Sequence, residues 1–329
     1  MPEPADATLA LTVDGRSVVV PDDGASLLEV LRDRLGLRGP KDGCSPQGQC
    51  GCCTVLVDGA ARVACVTPAR RVAGRAVTTV DGLDPAVRDP LAEALCATGG
   101  SQCGFCTPGI VVRLAALRAK GTEPADRAPV ARALQAHLCR CTGWQTILEA
   151  WDHVGEAPPR DLEAASRRAT IEGRAAQRVA PEVALGRGGF ADDTAPEGAL
   201  VAVPDGRGGW AVAETLTEAR ARAGKVQGRR TTVASAPPLA VPAGPWAATL
   251  RTSWVEPAYL ETDASWCEPG GTPAPVLANG GAFGAKRGGA LARAARELAD
   301  LHGRPVRVLW SREDAVRHGP KRPPVAGGA

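Results

Sequence analysis

Eight of the eleven cysteines in this 329-residue chain fall into two sets of four, both within its first half. The first set, Cys44, Cys50, Cys53 and Cys65, reads C-x5-C-x2-C-x11-C inside GCSPQGQCGCCTVLVDGAARVAC. The second, Cys103, Cys106, Cys139 and Cys141, reads C-x2-C-x32-C-x-C. Thiolates at these spacings suit iron–sulfur ligation, and two sets point to a two-cluster electron conduit. Cluster sulfurs accept backbone N–H bonds, so a loop that wraps one must approach it in conformations that a Cβ resists, and Gly43, Gly48 and Gly51 fit that need. Cys52 adjoins Cys53 and competes with it for the third ligand position; Cys53 is preferred because it restores C-x2-C after Cys50. Cys96 and Cys267 belong to neither set.

Cysteines in such numbers have two other uses. Paired cysteines hold structural zinc, and eight could close four disulfides. Zinc sites usually join two C-x2-C knuckles or add histidines, whereas the C-x-C partner and the glycine-lined loop suit a cluster. The opening MPEPADATLALTVDGRSVVV enters a hairpin pattern directly, with no apolar signal segment, so a reducing, cytoplasmic setting is expected and disulfides are disfavoured.

The ligands need elements to hold them. Residues 8–20, TLALTVDGRSVVV, are two alternating runs joined at Asp14-Gly15, a strong hairpin signal. Ser26 can cap a helix over LLEVLRDRLGL, where Leu27, Leu28, Val30, Leu31 and Leu35 form an apolar stripe. After the cysteine loop, TVLVDG and AARVACV make a second hairpin around Asp58-Gly59. Hairpin, helix, loop and hairpin predict a β-grasp ferredoxin domain of the plant type over residues 1–83. Residues 84–155 change character: IVVRLAALRA, PVARALQAHL and TILEAWDHV carry helical periodicity and predict a small helical bundle beside the second cysteine set. Residues 156–183, opening EAPPRDLEAASRRA, read as a linker, and 184–329 as a further region. The fold class expected is α+β. A net charge of +3 with scattered basic residues and 3% aromatics argues against a nucleic-acid surface, and no run is long enough for a membrane span.

The segments GCSPQGQCGCCTVLVDG, QCGFCTPGI and LCRCTGWQTILEA resemble the iron–sulfur subunit of the molybdenum hydroxylases, the xanthine dehydrogenase, aldehyde oxidase and carbon monoxide dehydrogenase family. The resemblance covers about residues 8–155. It implies a β-grasp domain whose [2Fe–2S] cluster, held by Cys44, Cys50, Cys53 and Cys65, lies farther from molybdenum. It also implies a four-helix domain whose nearer cluster is held by Cys103, Cys106, Cys139 and Cys141, with Gln102 and Cys141 as candidate pterin neighbours. The x5 spacing after Cys44 is one residue longer than the family's usual x4. Beyond residue 184, LGRGGFADDTAPEGALVAVP, VQGRRTT, RTSWVEPAYLETDASW, LANGGAFGAKRGG and GRPVRVLWSREDAVRHGPKRPP resemble the opening of the molybdopterin-binding subunit, an α/β region. A loop of small residues, Gly280, Gly281, Ala282 and Gly284 with Phe283 among them, lets backbone amides approach an anionic or oxo-bearing cofactor, and a helix is expected from Gly288.

What the resemblance implies for function is an electron-transfer subunit fused to part of a molybdopterin wall. Electrons from a molybdenum–molybdopterin cofactor, shared with or held by a large molybdopterin-binding partner, would pass through the two clusters to FAD in a separate subunit. The chain ends before the regions that carry the family's active-site glutamate, so no catalytic residue is assigned and the isolated chain is expected not to hydroxylate. Glu256 and Glu261 read as structural carboxylates, and His137 as a packing residue. A stand-alone ferredoxin-like carrier with a docking tail and a zinc-holding assembly scaffold are the rival classes.

Overall fold

The structure is a computed structural model that describes residues 7–122, 126–171, 177–224, 236–286 and 289–329. Strands β1 (Thr8–Val13) and β2 (Arg16–Pro21) pair antiparallel across Asp14 and Gly15, both at positive φ. The alternation of TLALTV turns Leu9, Leu11 and Val13 inward. Strands β3 (Thr54–Val57) and β4 (Ala60–Val63) form the second hairpin. A short strand that the sequence does not announce, β5 (Ala76–Thr78), lies between the two hairpins, giving the order β2-β1-β5-β3-β4. Asp14 pins it by accepting from the Thr79 amide and hydroxyl.

Ser26 caps the helix as expected, its hydroxyl accepting from Glu29 N at 3.2 Å. That helix differs from the expectation in form. After α1 (Leu27–Glu29) the chain widens into one π-helical turn, Val30–Arg34, and stops at Leu35. The wide turn carries Arg32 and Asp33, and both side chains reach the second half of the chain.

The helical domain holds α2 (Pro85–Thr98), α3 (Thr107–Arg118), α4 (Arg127–Ala133) and α5 (Gln145–Asp152). Asp84 caps α2 and Gly99, at φ 81°, ends it. Leu91, Leu95, Ile110, Leu114, Ile147 and Trp151 are fully buried between these helices. The stretch read as a linker is not structureless. Helix formers in LEAASRRATI build α6 (Leu162–Ile171), with the Asp161 carboxylate accepting from Ala164 N. A short α7 (Pro181–Ala184) then packs on α2 and α3.

The last region begins with α8 (Ala191–Thr194), β6 (Leu200–Pro204), β7 (Trp210–Ala213) and α9 (Leu216–Arg222). There follow β8 (Thr249–Arg251), β9 (Ala264–Cys267), α10 (Ala290–His302), β10 (Val306–Leu309), α11 (Arg312–His318) and β11 (Ala326–Gly328). Strands β7-β6-β10-β9 make a mixed sheet under α10, and β8 pairs with β11 in a separate ribbon. The VQGRRTT segment and Gly288 lie outside the described residues; α10 itself starts at Ala290 behind Gly289.

Buried ion pairs fasten this region to the β-grasp domain. Arg32 reaches Asp192 at 2.7 Å and Asp193 at 2.9 Å, Lys41 reaches Asp193 at 2.5 Å, and Arg307 reaches Asp33 at 2.9 Å and Asp192 at 3.1 Å. Burial alone would raise the Asp33 carboxyl, but Arg307, Arg32 and Arg38 outweigh it and hold the group well below the usual carboxylate range. Among the described residues no helix is long and apolar enough to cross a membrane.

Candidate iron–sulfur sites

The first cysteine set sits in the loop between the π turn and β3, with Cys65 arriving just after β4. All four thiols are buried. The glycines are needed where the sequence places them. A Cβ on Gly43 would stand 3.1 Å from the sulfurs of Cys50 and Cys52, and one on Gly51, at φ 72°, would stand 2.6 Å from the His137 ring. Cys44 Sγ accepts from Gln47 N at 3.2 Å and Gln49 N at 3.5 Å, and Cys53 Sγ from Cys65 N at 3.4 Å. The thiols of Cys50 and Cys65 hydrogen-bond to Cys44 and draw it toward the thiolate. Cys65 also bonds to Cys53, so the four thiols form one linked series, Cys50, Cys44, Cys65 and Cys53, which divides end to end into Cys44 with Cys50 and Cys53 with Cys65. Cys52 is fully buried, and its thiol meets that of Cys50.

The second set is built by two turns. Cys103 and Cys106 lead into α3, where Cys106 stands at the N-cap and Pro108 in the first turn. Cys139 and Cys141 lie between α4 and α5. The sulfurs of Cys103 and Cys141 are 3.5 Å apart, and Cys106 and Cys139 form the other pair. Bonds from Cys106 and Cys141, helped by the Thr142 hydroxyl at 3.1 Å, pull the Cys139 thiol down. Cys141 is only half-buried and Gln102 is exposed. Among the described residues no three His, Cys, Asp or Glu side chains converge as a single ion would require. Two pairs of thiols per site is the donor set of a two-iron cluster, in which each iron takes two thiolates.

The two sites touch through backbone. Leu138 N donates to Cys50 O at 2.9 Å, and a Cβ on Gly109, in α3, would meet Gly51 O at 2.3 Å. His137 supports this seam as the packing residue expected. It is buried, its Nε2 lies 3.1 Å from Thr54 Oγ1, and burial with Arg113 nearby depresses it to about 4, so the ring is neutral.

The last region walls the second site. Asn279 Nδ2 donates to Cys103 O at 3.1 Å, and a Cβ on Gly281 would lie 3.1 Å from Cys103 Sγ. Leu260, Glu261, Gly280 and Gly281 close a small cavity with the four cysteines and Arg140. The rest of the glycine loop does something else. Phe283 is half-exposed under the Arg140 guanidinium, 5.4 Å from its ring centre, and Gly284 borders a groove with Glu256, Lys321 and Arg322. Glu261 and Lys286 are a buried pair 2.8 Å apart, yet poorly aligned as a hydrogen bond, and burial pushes Glu261 up to about 7 against the pull of Lys286. Asn279, Lys286 and Arg312 were not singled out by sequence; only their closeness to the glycine loop and the SRED segment marks the places.

Residues 11–74 match the family described as 2Fe-2S iron-sulfur cluster binding domain, and residues 79–152 the [2Fe-2S] binding domain family. The alpha chain of isoquinoline 1-oxidoreductase from Brevundimonas diminuta is 44% identical over 132 residues, 40% of this chain and 85% of that protein. The small subunit of nicotine 6-hydroxylase from Paenarthrobacter nicotinovorans is 40% identical over 151 residues, 45% of this chain and 90% of that one. Aldehyde oxidoreductase of Megalodesulfovibrio gigas is 42% identical over 151 residues, so the match spans 43% of this chain but 16% of that protein. The solved aldehyde oxidoreductase of Desulfovibrio desulfuricans shares the fold over 97% of this chain and 51% of its own, with a TM-score of 0.70 at 20% identity.

Proposed function

Because the chain belongs to the iron–sulfur subunits of the molybdenum hydroxylase family, we propose that it conducts electrons from a molybdenum cofactor, held mainly by a larger partner chain, to a flavin subunit or another acceptor. Cys44 with Cys50, and Cys53 with Cys65, hold the irons of the first [2Fe–2S] cluster; Cys103 with Cys141, and Cys106 with Cys139, hold those of the second. Each cluster, when bound, takes and gives one electron at a time.

The chain's own residues prepare for that charge. Amides of Gln47, Gln49 and Cys65 and the Thr142 hydroxyl point at ligand sulfurs, where they favour the more negative state. Burial of the first set keeps water from its sulfurs, while the half-buried Cys141 and exposed Gln102 turn the second set outward, toward the pterin of the partner. Gly281, Ala282, Phe283 and Gly284 form the part of the cofactor wall that this chain supplies.

The observation that carries this reading is eight thiols in four pairs, with the two sites joined by one backbone hydrogen bond. Iron and sulfide analysis of the purified complex should find two [2Fe–2S] centres. Electron paramagnetic resonance of reduced protein should give two signals, and Cys103→Ser should delete one while sparing the other. Zinc in place of iron, or one signal in the parent protein, would overturn it.

A further inference from the structure

We propose that Arg312, in the last region of the chain, is a positioning residue that sets the reduction potential of the first cluster. The proposal rests on the ligand assignment just given. Ser311 caps α11, its hydroxyl accepting from Asp314 N while the Asp314 carboxylate accepts from Ser311 N, and this box holds Arg312 at the first helical position. From there Nη2 donates to Gly43 O at 2.8 Å and to Leu260 O at 2.7 Å. Gly43 precedes the ligand Cys44, and Leu260 lines the cavity at the second set. One guanidinium thus bridges the loops of both sites.

Its partners distinguish it from its neighbours. Lys41 is paired with Asp193 at 2.5 Å and Arg220 with Asp42 at 3.2 Å, so each brings a carboxylate with its positive charge. The bonds of Arg312 go to neutral carbonyls, and its guanidinium lies 5.6 Å from the centre of the buried Tyr259 ring, which excludes water from that side. Reduction adds one negative charge to the first cluster. A fixed cation in a poorly polarisable setting, bonded to the residue before a ligand, favours the reduced state.

The test is a potentiometric titration of the intact complex, following both paramagnetic signals in Arg312→Gln and Arg312→Lys. In the Gln variant the reduced-to-oxidised ratio of the first centre at fixed ambient potential should fall about tenfold, which is about 59 mV for a one-electron couple. The second signal should move less, and the Lys variant should recover most of the loss. Unchanged titration of the first centre overturns the proposal. So does a Lys variant displaced as far as the Gln variant, because the bridge rather than the charge would then be what matters. If the Gln variant does not load iron, Arg312→Met, whose stem still covers Tyr259, provides the neutral comparison under the same criteria. Absence of two signals in the parent protein would instead refute the ligand assignment, so the two failures are distinct.

Discussion

The carbonyl of Cys50 accepts the amide of Leu138 at 2.9 Å, so a residue of the first thiol set is one hydrogen bond from the neighbour of Cys139 in the second. Such a bond contributes about 1 kcal/mol net, and leaving the carbonyl of the buried Cys50 unmet costs about 1–3 kcal/mol. Leu138→Pro removes the donor. The expected outcome is slower electron equilibration between the two centres, read by flash reduction, with a lower urea midpoint and both clusters still loaded. Unchanged kinetics would show that the bond only fastens the domains.

The adjacent cysteines separate by geometry. Cys53 Sγ accepts from the amide of Cys65 and pairs with its thiol, whereas the Cys52 thiol meets Cys50. Cys53→Ser is therefore expected to abolish the first paramagnetic signal. Cys52→Ser should retain it, with at most a small change in line shape. The reverse result would transfer the ligand role to Cys52.

That the cysteines of each set come together was legible because their spacing and the glycines between them fix the loop geometry within a few residues. Gly43 and Gly51 were legible for the same reason, since the sulfurs and His137 they make room for leave no space for a Cβ. The two hairpins announced themselves through Asp14-Gly15 and Asp58-Gly59, but β5 did not, because three residues are too few to show alternation. The charged seam was illegible. Arg32 meets Asp192 across 160 positions, and nothing local distinguishes a buried arginine from a solvated one. Arg312 escaped notice likewise: its partners are carbonyls, which no sequence pattern displays.

That seam makes a pH-dependent prediction. The folded-state pKa of Asp33 is depressed, so its contribution is present above the unfolded carboxylate value near 4 and is lost as pH falls toward the folded value. Asp33→Asn leaves Arg307 with Asp192 as its one carboxylate partner among the described residues and should cost about 1–3 kcal/mol at pH 7, below the scale for orphaning a buried charge outright. Urea midpoints of parent and variant should converge as pH drops below about 4, because only the parent loses the contribution. A gap that stays constant down to about pH 3 would mean that Asp33 acts by packing rather than charge.

The glycine loop offers the sharpest separation between the two sites. Gly281 stands at φ 80° with Cys103 Sγ 3.1 Å from where a Cβ would be, while Gly284 has nothing within 4 Å. Adding a methyl at Gly281 must push on Cys103 of the second thiol set and also strains the backbone; at Gly284 only the backbone objects. Gly281→Ala should therefore shift or broaden the second paramagnetic signal and leave the first untouched. Gly284→Ala should leave both signals intact, and if the loop is part of the cofactor wall it should lower molybdenum content or turnover of the assembled complex. Equal effects of the two substitutions on the second signal would show that loop strain, not contact with Cys103, is transmitted to the cluster.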